Sequence, residues 1–134
     1  MYTVTDKKLC EVYPGFSENK EKYKKRIEAV KDGYKKVFGN EETRIFTAPG
    51  RTEIGGNHTD HQHGCVLAAA VDLDILAAVA ENGTNKIRVL SDGYDMLEID
   101  LSDLKPMEEE KNTSAALIRG IAAKLAEMGY KIKG

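Results

Sequence analysis

Apolar positions recur along this chain at two different periods, and the switch between them divides it. Tyr23, Ile27, Val30, Tyr34 and Val37 follow helical spacing. Ser17 can cap that helix, Glu18 and Glu21 place negative charge at its start, and Gly39-Asn40 supplies a stop signal. Gly33 weakens it by about 1 kcal/mol relative to Ala. From Thr43 the period shortens to two. Thr43 to Ala48 reads as a strand ended by Pro49-Gly50, Val66 to Ala70 as a short buried strand, and Leu73, Ile75, Ala77 and Val79 alternate along another. Ile87 with Val89, and then Leu97, Ile99 and Leu101, alternate in two more. Asn82-Gly83 and Asp92-Gly93 join the last three strands, which predicts an antiparallel meander.

The flanks are less regular. Residues 1–17 lack strong periodicity and contain Pro14-Gly15, so they read as an extended opening segment. The polar stretch Lys105 to Asn112 reads as a linker loop. A second helix starts near Thr113, carries Leu117, Ile118, Ile121, Leu125 and Met128 on one face, and stops at Gly129. There are no internal repeats. An antiparallel sheet with helices packed on one side gives an α+β sandwich over residues 1–134, about one domain in length.

Composition narrows the partners. Hydrophobic residues make up 41% and charged residues 31%, the balance of a globular protein with a real core. A net charge of -2 argues against a nucleic-acid footprint or an acidic membrane surface. Lys20 to Lys36 is basic, but Glu21, Glu28 and Asp32 interleave it, as on a solvated helix face. Cys10 and Cys65 match no metal or redox spacing, so a reduced, cytoplasmic protein is the default. The longest apolar runs, Val66 to Val71 and Ile75 to Ala80, are far short of the ~20 residues of a membrane helix, and the charged start is no signal peptide.

The chemistry concentrates in Pro49 to Gly64, PGRTEIGGNHTDHQHG. Its glycines let the backbone turn where a side chain would clash, and His58, Thr59, Asp60 and His61 offer neutral donors, a hydroxyl and a carboxylate. That inventory suits a polyhydroxyl ligand. Each member also has a plainer reading. Arg51 at a strand end serves equally as a surface cation or a structural ion pair, and Asp60 as an Asx-turn residue. His58 and Asp60, two apart on an extended segment, share a face. A metal site of His58, Asp60, His61 and His63 is the competing chemistry. The order H-x-D-H-x-H uses all three histidines of the chain, so only a carboxylate from elsewhere could complete it, and adventitious nickel or zinc fits it better than a functional ion.

The run Gly50 to His61 resembles, without a gap, the galactokinase signature of the GHMP kinase superfamily, G-R-x-N-[LI]-I-G-E-H-x-D-Y. Gly50, Arg51, Gly56, His58, Thr59 and Asp60 agree. Glu53 stands for the family's Asn, Gly55 for Ile, Asn57 for Glu and His61 for Tyr. The resemblance implies the amino-terminal half of a GHMP kinase, a fold like ribosomal protein S5 domain 2, and a small-molecule sugar substrate. It implies that Arg51 lies against the anomeric hydroxyl as transition-state stabiliser and that Asn57, His58, Thr59 and Asp60 hold the sugar, with Glu53 in exchanged position with Asn57. ATP and Mg would be bound by a Pro-x-x-x-Gly-Leu-Ser-Ser-Ser loop, and the proton removed by a catalytic Asp, both in segments beyond Gly134. On this reading the chain is an amino-terminal, sugar-side part of a galactokinase-like sugar 1-kinase and is inactive alone. A non-catalytic sugar-sensing regulator on the same fold would keep the same loop. Nothing in the sequence specifies an oligomeric state.

Overall fold

The computed structural model describes residues 4–39, 42–56 and 63–134. Thr5 opens the first helix, α1, Asp6–Val12: its Oγ1 accepts from the Lys8 backbone N–H at 3.4 Å, and Asp6 sits at the positive end of the helix dipole. The opening segment is therefore partly helical and not extended throughout. One buried side chain, Leu9, in seven residues is too little to make a period visible in sequence. Pro14 to Glu18 turn the chain, with the Phe16 N–H donating to Tyr13 O and the Asn19 N–H to Gly15 O. Because that turn uses Ser17, α2 begins later than its cap signal suggests, at Lys20–Phe38. It ends at Gly39, whose φ of 72° lies in the left-handed region that glycine tolerates.

Two long strands follow, β1 Arg44–Gly55 and β2 Leu67–Val79, paired antiparallel with Arg44 opposite Val79. One continuous β2 replaces the two short strands expected there. Leu9, Tyr13, Phe16, Tyr23 and Ile27 form the core that joins the helices to this hairpin, with Ile45 and Leu76 packed against it. The Tyr13 and Tyr23 rings stack at 4.4 Å.

The face of β2 turned to this core is not the one its apolar residues suggest. Leu73 and Ile75 are 77% and 76% exposed, whereas Asp74 and Leu76 are covered. What makes a carboxylate acceptable there is its partners. Asp74 Oδ2 accepts from the Tyr13 hydroxyl and the Thr47 hydroxyl, each at 2.5 Å, and Oδ1 pairs with Arg26 Nη2 at 2.7 Å. The end of α1, the middle of α2 and both strands thus meet on one side chain, which is only 10% exposed. Burial pushes the Asp74 pKa up, but the bonds from Thr47, Tyr13 and Arg26 outweigh it and bring it from 3.8 down to about 2. Burial and the neighbouring Asp74 push the Tyr13 hydroxyl the other way.

The hairpin is irregular at two points. Its register slips between Pro49 and Arg51, where Pro49 opposes Asp74 but Arg51 opposes Ala70, and again between Glu53 and Gly55. Gly50 sits at the first slip, where a Cβ would come within 3.1 Å of Leu73 O and Val71 Cγ2. Gly56 forms the root of the loop after β1. Its φ is 99°, and a Cβ there would lie 2.5 Å from Cys65 O. No other residue type fits that approach.

The described chain divides into two compact units, Met1–Ala80 and Glu81–Gly134. In the second, β3 Lys86–Val89 pairs antiparallel with β4 Leu97–Asp100, whose Ile99 is wholly buried. β1–β2 and β3–β4 are separate two-stranded sheets, so the expected three-strand meander does not form. The connection at Asn82-Gly83-Thr84 is itself bonded. Asn82 Oδ1 accepts from the Thr84 N–H at 2.8 Å, and the Asn82 N–H donates to Gly134 O, whose own N–H donates to Thr84 O.

Helix α3, Ser114–Glu127, starts at Thr113, whose Oγ1 accepts from the Ala116 N–H, and is followed by Gly129 at φ 87°. Its buried residues are Ala115, Arg119 and Ala122, while Leu117, Ile121, Leu125 and Met128 are exposed. Arg119 donates from Nε and Nη2 to the two carboxylate oxygens of Glu110, each at 2.7 Å, and from Nη1 to the Asp100 and Asp103 carbonyls. Glu110 belongs to a 3₁₀ turn, Glu108–Glu110, inside the stretch expected to be a plain linker. Among the described residues no helix is long and apolar enough to cross a membrane. The architecture is α+β, antiparallel pairs with helices packed against them.

Two measurements follow from these contacts. The folded pKa of Asp74 lies below its unfolded value, so its contribution is complete above the unfolded pKa of 3.8 and is lost as pH falls toward about 2. Urea unfolding between about pH 5 and pH 2 should lose roughly 2 kcal/mol through this group, and Asp74→Asn should flatten that part of the profile. An equally steep profile in the variant would assign acid sensitivity to other carboxylates. Gly56→Ala should cost about 1 to 3 kcal/mol in a thermal melt. Gly55→Ala, whose Cβ meets nothing within 4 Å, should be neutral or slightly stabilising; equal losses at both positions would remove the close approach as the cause.

Candidate functional site

Arg51 stands on β1 two residues after Pro49, opposite Ala70, and is exposed. Glu53 follows two residues later, opposite Ala68 and half-buried, and residues two apart on a strand project from the same face. A guanidinium and a carboxylate therefore leave the same side of the strand end. The slip at Gly50 lies immediately before them and the turn at Gly56 immediately after. Arg51 thus projects from a paired strand and not from a free loop, which limits the entropy lost when its five donors engage a ligand.

Asn57, His58, Thr59 and Asp60, the segment predicted to hold the sugar, lie outside the described residues, as does His61. The segment's two ends are defined. On one side Gly56 is pressed against Cys65 and Val66, and on the other His63 has a φ of 60°, in the left-handed region where histidine is enriched among non-glycine residues. The chain leaves and re-enters the hairpin at one pinched root. Of the metal alternative only His63 is described, and it is exposed. Among the described residues no three His, Cys, Asp or Glu side chains are placed to hold a metal ion together.

Two charged groups that the sequence reading passed over prove to be closely partnered. Asp74 supports the strand that carries Arg51, and Arg119 ties α3 to the Glu110 turn. The available signal for Asp74 was its position: Asp is disfavoured in strands, and one inside V-D-L-D-I-L needs a partner if that segment is paired on both sides.

The described geometry, an exposed Arg on a paired strand that ends at Gly56, coincides with a known sequence signature. Residues 32–81 match the family profile described as the galactokinase galactose-binding signature. That match runs from within α2 through β1 and the loop to the end of β2. The chain is 32% identical over 109 residues to the galactokinase of Bacillus subtilis (strain 168), across 78% of this chain and 27% of that protein. It is 30% identical over 108 residues to the galactokinase of Enterococcus faecalis (strain ATCC 700802 / V583), across 78% and 27%. In structure it is similar to Lactococcus lactis galactokinase, solved in complex with galactose, with a TM-score of 0.69, 24% identity, and coverage of 79% of this chain and 28% of that one. At that identity the likeness speaks to the fold. The chain spans about a quarter of the length of the relatives it matches. Profile, sequence and fold agree in supporting a galactokinase fragment.

Proposed function

We propose that this chain forms the sugar-binding side of a galactokinase, the parent protein transferring the γ-phosphoryl group of ATP to the anomeric hydroxyl of galactose or a related hexose. The observation that carries the reading is the coincidence of the galactose-binding signature with the β1–β2 hairpin whose strand end presents Arg51. The galactose bound to the Lactococcus lactis relative supports a hexose as the substrate class. Residues 1–134 would then be one sugar-side portion of a cytoplasmic enzyme.

Arg51 lies, on this reading, against the anomeric hydroxyl, where a fixed guanidinium stabilises the negative charge that develops as that oxygen is phosphorylated. Its planar fork suits this role better than a lysine ammonium would. Asp60 would accept hydrogen bonds from two neighbouring sugar hydroxyls through its two oxygens, and Asn57, His58 and Thr59 would complete the sugar-holding segment. Discrimination among hexoses comes from polar groups that only the right hydroxyl pattern satisfies. The sequence contains no Gly-Leu-Ser-Ser-Ser run. ATP and its magnesium would be bound mainly by other segments of the parent protein.

The chain alone, incubated with galactose and Mg-ATP, should show no turnover; turnover that survives removal of contaminating kinases would mean the active site has been misplaced. In the full-length protein Arg51→Ala should lower kcat by about 100-fold or more with a smaller change in sugar KM, as for loss of one preorganised donor. Asp60→Ala should instead raise sugar KM strongly, because it removes a ground-state ligand.

A further test concerns the two positions that depart from the family pattern. The family Glu at the position of Asn57 contacts the C6 hydroxyl, and a hydrogen bond to a charged group is worth roughly 1.5 to 3 kcal/mol, or about 10- to 150-fold in affinity. Asn is shorter and uncharged. Either the enzyme binds galactose more weakly than its relatives or prefers a sugar altered at C6 or C2, or Glu53 restores the carboxylate. Comparing kcat/KM for galactose, 6-deoxygalactose and N-acetylgalactosamine in wild type, Asn57→Glu and Glu53→Asn separates these. If neither substitution changes discrimination at C6, Asn57 is not a sugar ligand.

A further inference from the structure

We propose that Asp74 is a positioning residue for Arg51: its carboxylate locks the β1–β2 register at the last pair before the slip and so decides which way Arg51 projects. The inference rests on the reading of Arg51 given above. Pro49 opposite Asp74 is that last pair; beyond it β1 advances two residues to Arg51 while β2 advances four to Ala70, leaving Val71 to Leu73 opposite Gly50. A slip of this kind is where a hairpin can most easily re-pair, because a one-residue change of register turns every later side chain to the other face. Neighbouring apolar contacts are weak specifiers of register here. Leu73 and Ile75, which flank Asp74, are exposed, and the residues opposite the strand end are Ala68, Ala69 and Ala70.

Directional bonds supply what those contacts do not. The Thr47 hydroxyl, on β1, donates to Asp74 Oδ2 on β2 at 2.5 Å, so the two strands are tied to each other by side chains as well as by the ladder. Tyr13 and Arg26 hold the same carboxylate from α1's end and from α2, which fixes β2 against the helices. The Tyr13 and Thr47 hydroxyls lie 3.2 Å apart, but each has one proton and a shorter bond to Asp74, so both protons point at the carboxylate. A buried ionic group of this sort is poorly explained by stability, since an apolar side chain of similar volume often packs as well or better. It is explained by specification: Asp74→Leu would keep an apolar neighbour for Tyr13, but it would accept no bond from Thr47 and would allow β1 to shift. On the other side of the slip Gly50 admits the close approach of Val71 and Leu73. Clamp and gap together leave one path for the strand that carries Arg51.

The test separates register from chemistry. NMR of this chain reads the cross-strand contact between Arg51 and Ala70 and, as an internal control, that between Ile45 and Ala78. Asp74→Leu and the near-isosteric Thr47→Val should keep the control contact and weaken or lose the Arg51–Ala70 contact, with Asp74→Asn, which retains an acceptor, in between. In the full-length enzyme Thr47→Val should lower kcat by about tenfold or more with sugar KM changed by less than about threefold, since small misplacements of a catalytic donor act on the transition state. Arg51→Ala should cost far less on the Thr47→Val background than on the wild type, because the donor has already been misplaced. Folded variants with the Arg51–Ala70 contact intact overturn the inference, and so do additive losses in the double variant. Should Asp74→Leu not fold, Thr47→Val alone decides. An Arg51→Ala enzyme with unchanged kcat would instead refute the catalytic reading of Arg51, and the NMR contacts would still report whether the register clamp exists.

Discussion

A single half-buried carboxylate organises the first eighty residues. Asp74 gathers a phenol, an alcohol and a guanidinium from three other elements, and its retention of charge depends on all of them, because burial alone would push its pKa up. The apolar core beside it, Tyr13 stacked on Tyr23 with Phe16 and Ile27, provides most of the area removed from water but little direction. Apolar contact is tolerant of small slides, whereas three hydrogen-bonded partners on two oxygens are not. In the second unit Arg119 has the same relation to its surroundings with the charges reversed. Its guanidinium takes both oxygens of Glu110 and two backbone carbonyls, so the only charged side chain among the described buried residues is one whose donors are matched.

Local signals in the sequence were read well and distant ones were not, for a physical reason. Helices α2 and α3 announce themselves through spacing and through their stops at Gly39 and Gly129, both of which have positive φ. Caps, turns and periods are properties of a few consecutive residues. The covered face of a strand is a property of what arrives from elsewhere, and hydrophobicity misleads when the arriving group is a charge. Leu73 and Ile75 look like the inner set of β2, yet the inner set contains Asp74, whose partners Thr47 and Tyr13 lie 27 and 61 positions away. The same holds on α3, where the apolar stripe is correctly placed on one face but the residues buried are Ala115, Arg119 and Ala122.

For the candidate site the balance is reversed, because a binding motif is itself local. The glycines stand out in the sequence by themselves, Arg51 and Glu53 through the resemblance of their run to the family signature, and the hairpin places them at one strand end with a turn that favours glycine at Gly56. What spacing could not convey is how that strand end is held. A motif states which groups meet the ligand; the accuracy of their placement comes from residues with no place in the motif.

That division has a geometric basis. Arg51 sits between two fixed points on the same strand, four residues after Thr47, where β1 is bonded to Asp74, and five before Gly56, where the loop root is pressed against Cys65. At roughly 3.3 Å per residue it is about 13 Å from one anchor and about 17 Å from the other. A strand pinned at both ends over so short a span has little freedom to swing, yet the register slip at Gly50 falls inside it. The slip gives the strand the local twist and bend that re-aim a side chain, and the anchors keep that bend in one place. On the proposed reading of Arg51 as a donor to developing charge, this arrangement favours it, because a donor oriented before the substrate arrives leaves little reorganisation for the reaction to drive.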